Sequence, residues 1–196
     1  MATIATGKSV SVRVPATTAN LGPGFDTLGM ALTIEDTLTA TVRAGSGVHV
    51  SVHGVGEGEV PTDETNLIAR SMAHAFASKN ITMPGIDMVA HNVIPHGRGL
   101  GSSGAAIVSG VMAAKGLLEG IVDFTPEELL GLATDMEGHP DNIAPSLFGG
   151  LTIAWMTESG PKHKKLSVHR GVSLVVAVPE DASMSTQLAH RLFHKP

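Results

Sequence analysis

The segment that most restricts this chain lies between residues 86 and 118. An apolar run over 86–94 ends at Pro95, the stretch His96-Gly97-Arg98-Gly99-Leu100-Gly101-Ser102-Ser103-Gly104 follows, and an Ala/Val/Met-rich run begins at Ala105. The pattern predicts a strand, a tight glycine loop and a buried helix to about residue 118, with serine where the helix opens. Gly97, Gly99 and Gly101 let the backbone pass close to a ligand through conformations closed to residues with a Cβ. A helix starting there presents unpaired N–H groups and a partial positive end, which suits phosphate, and its hydroxyls can reach a phosphate-bound cation. A glycine turn capped by serine has the same composition, so the loop alone leaves both uses open.

Two familiar phosphate motifs are excluded. No G-x-x-x-x-G-K-[ST] occurs, so there is no P-loop. Residues 99–104 satisfy G-x-G-x-x-G literally, with Glu119 downstream, but Glu119 follows the helix without the Val/Ile-rich strand a dinucleotide fold requires.

Elsewhere the chain alternates short strands and helices. Val10, Val12 and Val14 give a half-buried strand over 9–15 and a loop follows; residues 30–42 and 48–52 predict a hairpin joined at Ala44-Gly45-Ser46-Gly47. Helical spacing over 66–78 predicts a first helix, and Thr125-Pro126-Glu127-Glu128 opens another that runs to about residue 136. Residues 151–156 and 172–178 predict two strands around a polar turn at 159–165. Residues 1–180 therefore form one α+β unit, of a size and composition (196 residues, 42% hydrophobic, 16% charged) that support a compact core.

Charge and composition narrow the function classes. A net charge of -5 argues against nucleic acid as a partner. The absence of cysteine excludes disulfides, thiolate chemistry and cysteine-held metals, while the ten histidines are scattered along the chain rather than gathered in one cluster. No window approaches eighteen consecutive apolar residues, so the expectation is a cytoplasmic chain without a membrane partner.

Two further stretches concentrate chemistry. Pro15-Ala16-Thr17-Thr18-Ala19-Asn20-Leu21-Gly22-Pro23-Gly24-Phe25-Asp26 packs an amide and a carboxylate into a tight turn, and Asp135-Met136-Glu137-Gly138-His139-Pro140-Asp141-Asn142 supplies hard-cation ligands and polar groups for a substrate. Ordinary Asx turns use the same residue types.

Together the three stretches resemble the GHMP kinases, and within them the homoserine kinases. Pro-x-x-x-Gly-Leu-Gly-Ser-Ser-x-Ala is the family's phosphate loop and matches 95–105, with Gly104 where the family most often has alanine. The opening Ala-Thr-(Ser/Thr)-Ala-Asn-Leu-Gly-x-Gly-Phe-Asp and the string Gly-His-Pro-Asp-Asn-(Ile/Val)-Ala-Pro, then Gly-Gly, are those of the homoserine kinases.

The resemblance implies a ribosomal protein S5 domain 2-like α+β fold, a two-layer arrangement of sheet and helices. It makes 1–180 the ATP-binding domain and 181–196 the start of a second domain, the rest of which is absent from this sequence. It implies ATP and Mg2+, with Pro95, His96, Gly97, Arg98, Gly99, Leu100, Gly101, Ser102, Ser103, Gly104 and Ala105 around the phosphates. Ser103 and Asp135 would hold the metal, with Glu137 the alternative acid. Asn20, Asp26, His139 and Asp141 would bind L-homoserine, Asp26 nearest the acceptor hydroxyl, for conversion to O-phospho-L-homoserine in threonine biosynthesis by a homodimer. Near the end, Ser185-Thr186-Gln187-Leu188-Ala189-His190-Arg191 departs from the family, with His190 where a substrate-binding arginine belongs. Another GHMP kinase, mevalonate- or shikimate-like, or a nucleotide-binding chain without turnover, are the competing expectations.

Overall fold

The alternation of Val10, Val12 and Val14 against Ser9, Ser11 and Arg13 builds the first strand, β1 (Ser9–Leu21), in a computed structural model that describes residues 4–178. The expected second-domain segment 181–196, with His190 and Arg191, lies outside the described residues. β1 folds back onto β2 (Gly24–Arg43) in a long antiparallel hairpin whose tip is Gly22-Pro23. The sequence predicts a loop from residue 16 on, but pairing continues through two register shifts, between Pro15 and Thr17 and between Ala19 and Leu21. Such bulges break the period-two pattern while keeping the strands together.

β3 (Val48–Gly54) follows β2, yet the predicted β2–β3 hairpin does not form. Instead α1 (Leu67–Ser78) carries the chain back to β4 (Gly85–Asn92), which inserts between them, parallel to β3 and antiparallel to β2. Parallel neighbours require such a crossover. The glycines expected to turn the hairpin hold the inserted strand: Gly85 N and Ile86 N donate to the carbonyls of Gly45 (2.8 Å) and Gly47 (3.1 Å).

After β4 the chain enters the glycine loop and α2 (Ser102–Leu117), then α3 (Pro126–Glu137), whose Thr125 and Glu128 form the reciprocal cap its sequence announces. A short α4 (Ile143–Phe148), unforeseen because Pro145 sits inside it, precedes β5 (Leu151–Thr157) and β6 (Gly160–Leu166). Thus the polar stretch expected to be a turn is itself a strand, alternating Lys162 and Lys164 with His163 and Lys165 opposite β5. Residues 172–178 are not in a strand, and Val175 is 94% exposed.

The sheet runs β3-β4-β2-β5-β6 with β1 also on β2. One face buries Val50, Leu38, Ala40, Ile86 and Met88 with Met72, Phe76, Ile107 and Leu130 of the helices; the other carries the hydroxyl pairs Ser9–Thr41 (2.9 Å) and Ser11–Thr39 (2.8 Å). This is the expected two-layer α+β arrangement. It delivers β4 into the glycine loop at a fixed point, because buried Asp36 of β2 accepts from both Val93 N (2.7 Å) and Ile94 N (3.0 Å). Burial pushes the Asp36 carboxyl above its usual range despite those two bonds and nearby His96.

Removing that acceptor leaves two N–H groups unsatisfied where the loop begins. Asp36→Ala is expected to cost about 2–3 kcal/mol in urea unfolding, and Asp36→Asn clearly less, since an amide oxygen still accepts. Equal stability of Asp36→Ala and wild type would show that the loop entry is held elsewhere.

Candidate active site

The glycine loop meets the other two chemical stretches at the helix side of the sheet. Gly97, Gly99 and Gly101 all have positive φ (66°, 69° and 67°), and Gly101 caps α2 with no side chain bonded to the helix's first N–H groups. Such alternation turns successive N–H groups toward a concave space suited to an anion. A Cβ on Gly101 would collide with Thr17 Oγ1 and come within 3.1 Å of Asn142 Oδ1. A Cβ on Gly104 would meet Asn142 Cβ and Ile143 Cδ1 at 3.5 Å, ordinary contact, so glycine there is tolerated rather than required.

Thr17 ties the three stretches together. Its N–H donates to Leu100 O (3.0 Å) in the loop, and its hydroxyl to Asn142 Oδ1 (2.8 Å) ahead of α4. On the hairpin tip, Asn20 (φ 59°) accepts from Asp26 N (2.7 Å), while Asp26 also has positive φ (54°). Gly29 lets β2 press on the 139–142 loop, because a Cβ there would run into Asp141 O.

The polar groups expected at a substrate are brought together. Asp141, 1% exposed, accepts from Asn142 N (3.0 Å) and pairs with His139 Nδ1 (3.0 Å). The Asp141 bond holds the imidazole above its ordinary value against partial burial, with the charges of Asp141, Glu137 and Asp26 acting in the same direction. His139 therefore lies among three carboxylates that favour its protonated form, one of them from the hairpin tip.

The two acids of α3 are separated. Ser103 Oγ donates to Glu137 Oε2 (2.7 Å), whereas Asp135 lies toward His74 (3.9 Å). The geometry thus puts Glu137 beside Ser103 and Asp135 beside His74, so of the two acids named for the metal the alternative, Glu137, is the one in contact with Ser103. Among the described residues no group of three or more His, Cys, Asp or Glu side chains could cage a metal. A cleft of about 290 Å³ adjoins Ser102 and Ser103, walled by Val52, Val60, Pro61, Asn66 and His96. A larger cavity of about 670 Å³, between β1 and the C-terminal end of α2, contains none of these groups.

Sequence reasoning missed Thr17, Asn142, Gly29 and Asp36. Thr17 and Asn142 stood inside quoted motifs without a role; for Gly29 and Asp36, whose importance is a long-range contact, no local pattern marks them.

Residues 66–150 match the GHMP kinases N terminal domain. The chain is 67% identical over 189 residues to the homoserine kinase of Clavibacter michiganensis, covering 96% of this chain and 60% of that protein. The crystal structure of homoserine kinase from Cytophaga hutchinsonii superposes with a TM-score of 0.73 at 30% identity, over 86% of this chain and 55% of that one. The mevalonate kinase of Methanococcus jannaschii shares the fold at 14% identity, with a TM-score of 0.64 over 83% of this chain and 57% of that one. The chain spans about 60% of the length of the curated relatives it matches.

The His139 environment has a measurable consequence. The His139 ring protons are expected to titrate above the ordinary 6.5 in an NMR pH series, and Asp141→Asn to bring the midpoint down. Because the folded value is raised, this pair's contribution to stability is complete below the ordinary value and is lost as pH rises through the folded one. A midpoint that ignores Asp141→Asn would overturn the assignment.

Proposed function

We propose, from the premise that this chain belongs to the homoserine kinase branch of the GHMP kinases, that it transfers the γ-phosphoryl group of ATP to the hydroxyl of L-homoserine. The product is O-phospho-L-homoserine, a step of threonine biosynthesis. The observation that carries the proposal is the meeting of the glycine loop with the Asn20, Asp26, His139 and Asp141 cluster through Thr17.

Phosphoryl transfer asks a protein mainly for alignment and for positive charge against the oxygens of the transferring group. The N–H groups of 97–103 and the open end of α2 supply the second; residues 95–105 wrap the phosphates and the adjoining cleft takes the base. Ser103 and Glu137 are hard oxygen donors that fit Mg2+, and without a protein cage the remaining ligands come from phosphate and water. When bound, Mg2+ neutralises charge on the phosphate oxygens.

For the acceptor, homoserine brings an ammonium, a carboxylate and a hydroxyl. Asp141 offers buried negative charge to the ammonium, and Asn20 fixes the backbone of Asp26 so that its carboxylate lies near the hydroxyl and can receive its proton. His139 stands among these acids and is hydrogen-bonded to Asp141. A homodimer in the cytoplasm belongs to the same proposal; β1 pairs with no described strand other than β2, and no described helix is long and apolar enough to cross a membrane.

ADP release measured with homoserine, mevalonate, galactose and shikimate tests the proposal, with homoserine expected to give the highest kcat/KM. Nucleotide binding without turnover on any acceptor would remove the kinase part and keep the nucleotide part. For the metal, Glu137→Gln is expected to weaken Mg-ATP binding about tenfold or more, the scale of a lost charged contact, while Asp135→Asn stays within about twofold. The reverse order would return the metal to Asp135.

A further inference from the structure

Thr17 is a polar side chain at 0% exposure in β1, and both of its hydrogen-bonding groups are spent on distant segments. Its N–H holds Leu100 O, which any residue in that place could do. Its hydroxyl does something only serine or threonine can do: it gives its single proton to Asn142 Oδ1 at 2.8 Å. Gly101 closes over this bond, since a Cβ there would strike the hydroxyl and crowd the same amide oxygen.

A carboxamide has one acceptor end and one donor end. With Oδ1 pinned toward Thr17, the NH2 end of Asn142 must face the other way, and Asn142 is only half-buried, so that end is available. The Asn142 backbone is fixed too, its N–H bonded to Asp141 Oδ1 at 3.0 Å. The residue thus stands between the glycine loop and the His139–Asp141 pair with one rotational choice left, and Thr17 makes that choice.

We propose that Thr17 is a positioning residue: its hydroxyl sets the orientation of the Asn142 carboxamide so that the NH2 end is directed as a donor to an oxygen of the bound substrates. The inference rests on the kinase proposal for what that donor meets, but not for the orientation itself. In an unpinned carboxamide the two ends exchange, and for part of the time an oxygen lone pair faces an anionic group, which is repulsive.

The test uses Thr17→Val, which keeps the shape and the backbone bond but removes the proton, Thr17→Ser, which restores it, Asn142→Ala and the Thr17→Val/Asn142→Ala pair. Thr17→Val is expected to lower kcat about tenfold with KM for ATP within about twofold, Thr17→Ser to recover most of the loss, and Thr17→Val to cost nothing further once Asn142 is alanine. Independently of activity, the Asn142 side-chain NH2 signals in 1H–15N spectra, assigned by their loss in Asn142→Ala, are expected to move in Thr17→Val and to stay near wild type in Thr17→Ser. Multiplicative losses in the double variant, or NH2 signals indifferent to Thr17→Val, would overturn the proposal. If the wild-type protein phosphorylates no acceptor, the kinase proposal fails while the NH2 signals still decide whether Thr17 orients Asn142.

Discussion

The hydrogen bond from Thr17 N–H to the Leu100 carbonyl is the point where sheet and loop become one object. A glycine-rich run has little reason of its own to hold one shape, because each glycine gains the most from unfolding. Three constraints remove that freedom here: Asp36 fixes the entry at Val93 and Ile94, α2 fixes the exit, and Thr17 fixes the middle. All three are anchored on the β1–β2 hairpin or on the helix it packs against, so the loop inherits the rigidity of the core. The hairpin in turn carries Asn20 and Asp26 at its tip, which makes the distance between the loop and these proposed acceptor residues a property of one strand pair.

Electrostatics at the site follow from the same convergence. Asp26, Glu137 and Asp141 arrive from three different segments around His139, whose proton affinity is raised first by its hydrogen bond to Asp141 and then by the charges of all three. The arrangement is suited to ligands that add positive charge, and an amino acid's ammonium together with a divalent cation are such ligands. A neutral sugar brings no ammonium for Asp141 to meet, which weighs for the homoserine proposal over a sugar-kinase one.

How much of this could be read in advance depended on whether the deciding contact was local. The helices α1, α2 and α3, with their caps, and the glycine loop are governed by residues within a turn or two, and periodicity and capping rules reach that far. Strand partners are not local: alternation marked β2, β3 and β4 as strands but could not say that β4 would enter between the other two. β6 was hidden because its lysines and histidine look like a solvated turn, whereas a strand paired on one side can keep them wet. The metal acid was undecidable for a geometric reason. Asp135 and Glu137 are about 200° apart around α3 at 3.6 residues per turn, so they face opposite ways. Only the position of Ser103, contributed by another helix, decides which of the two stands beside it, and that is Glu137.

Strain completes the argument for a preformed acceptor site. Asn20, Asp26 and Asn80 are the described non-glycine residues with positive φ. Asn80 has an ordinary explanation, since it lies just beyond α1, where left-handed residues end helices, and its N–H bonds back to Ala77 O. The other two end no helix. Each costs on the order of 1 kcal/mol or more in that conformation, and such outliers persist only where the surroundings over-determine them. Here the surroundings are the bulged hairpin and the short bond from Asp26 N to Asn20 Oδ1, so the two residues hold each other in place. A turn needed only to reverse the chain could use glycine at both positions without that cost. Asn and Asp instead put polar side chains there, and the charge of Asp26 reaches His139, so the strain supports the proposed acceptor site as preorganised.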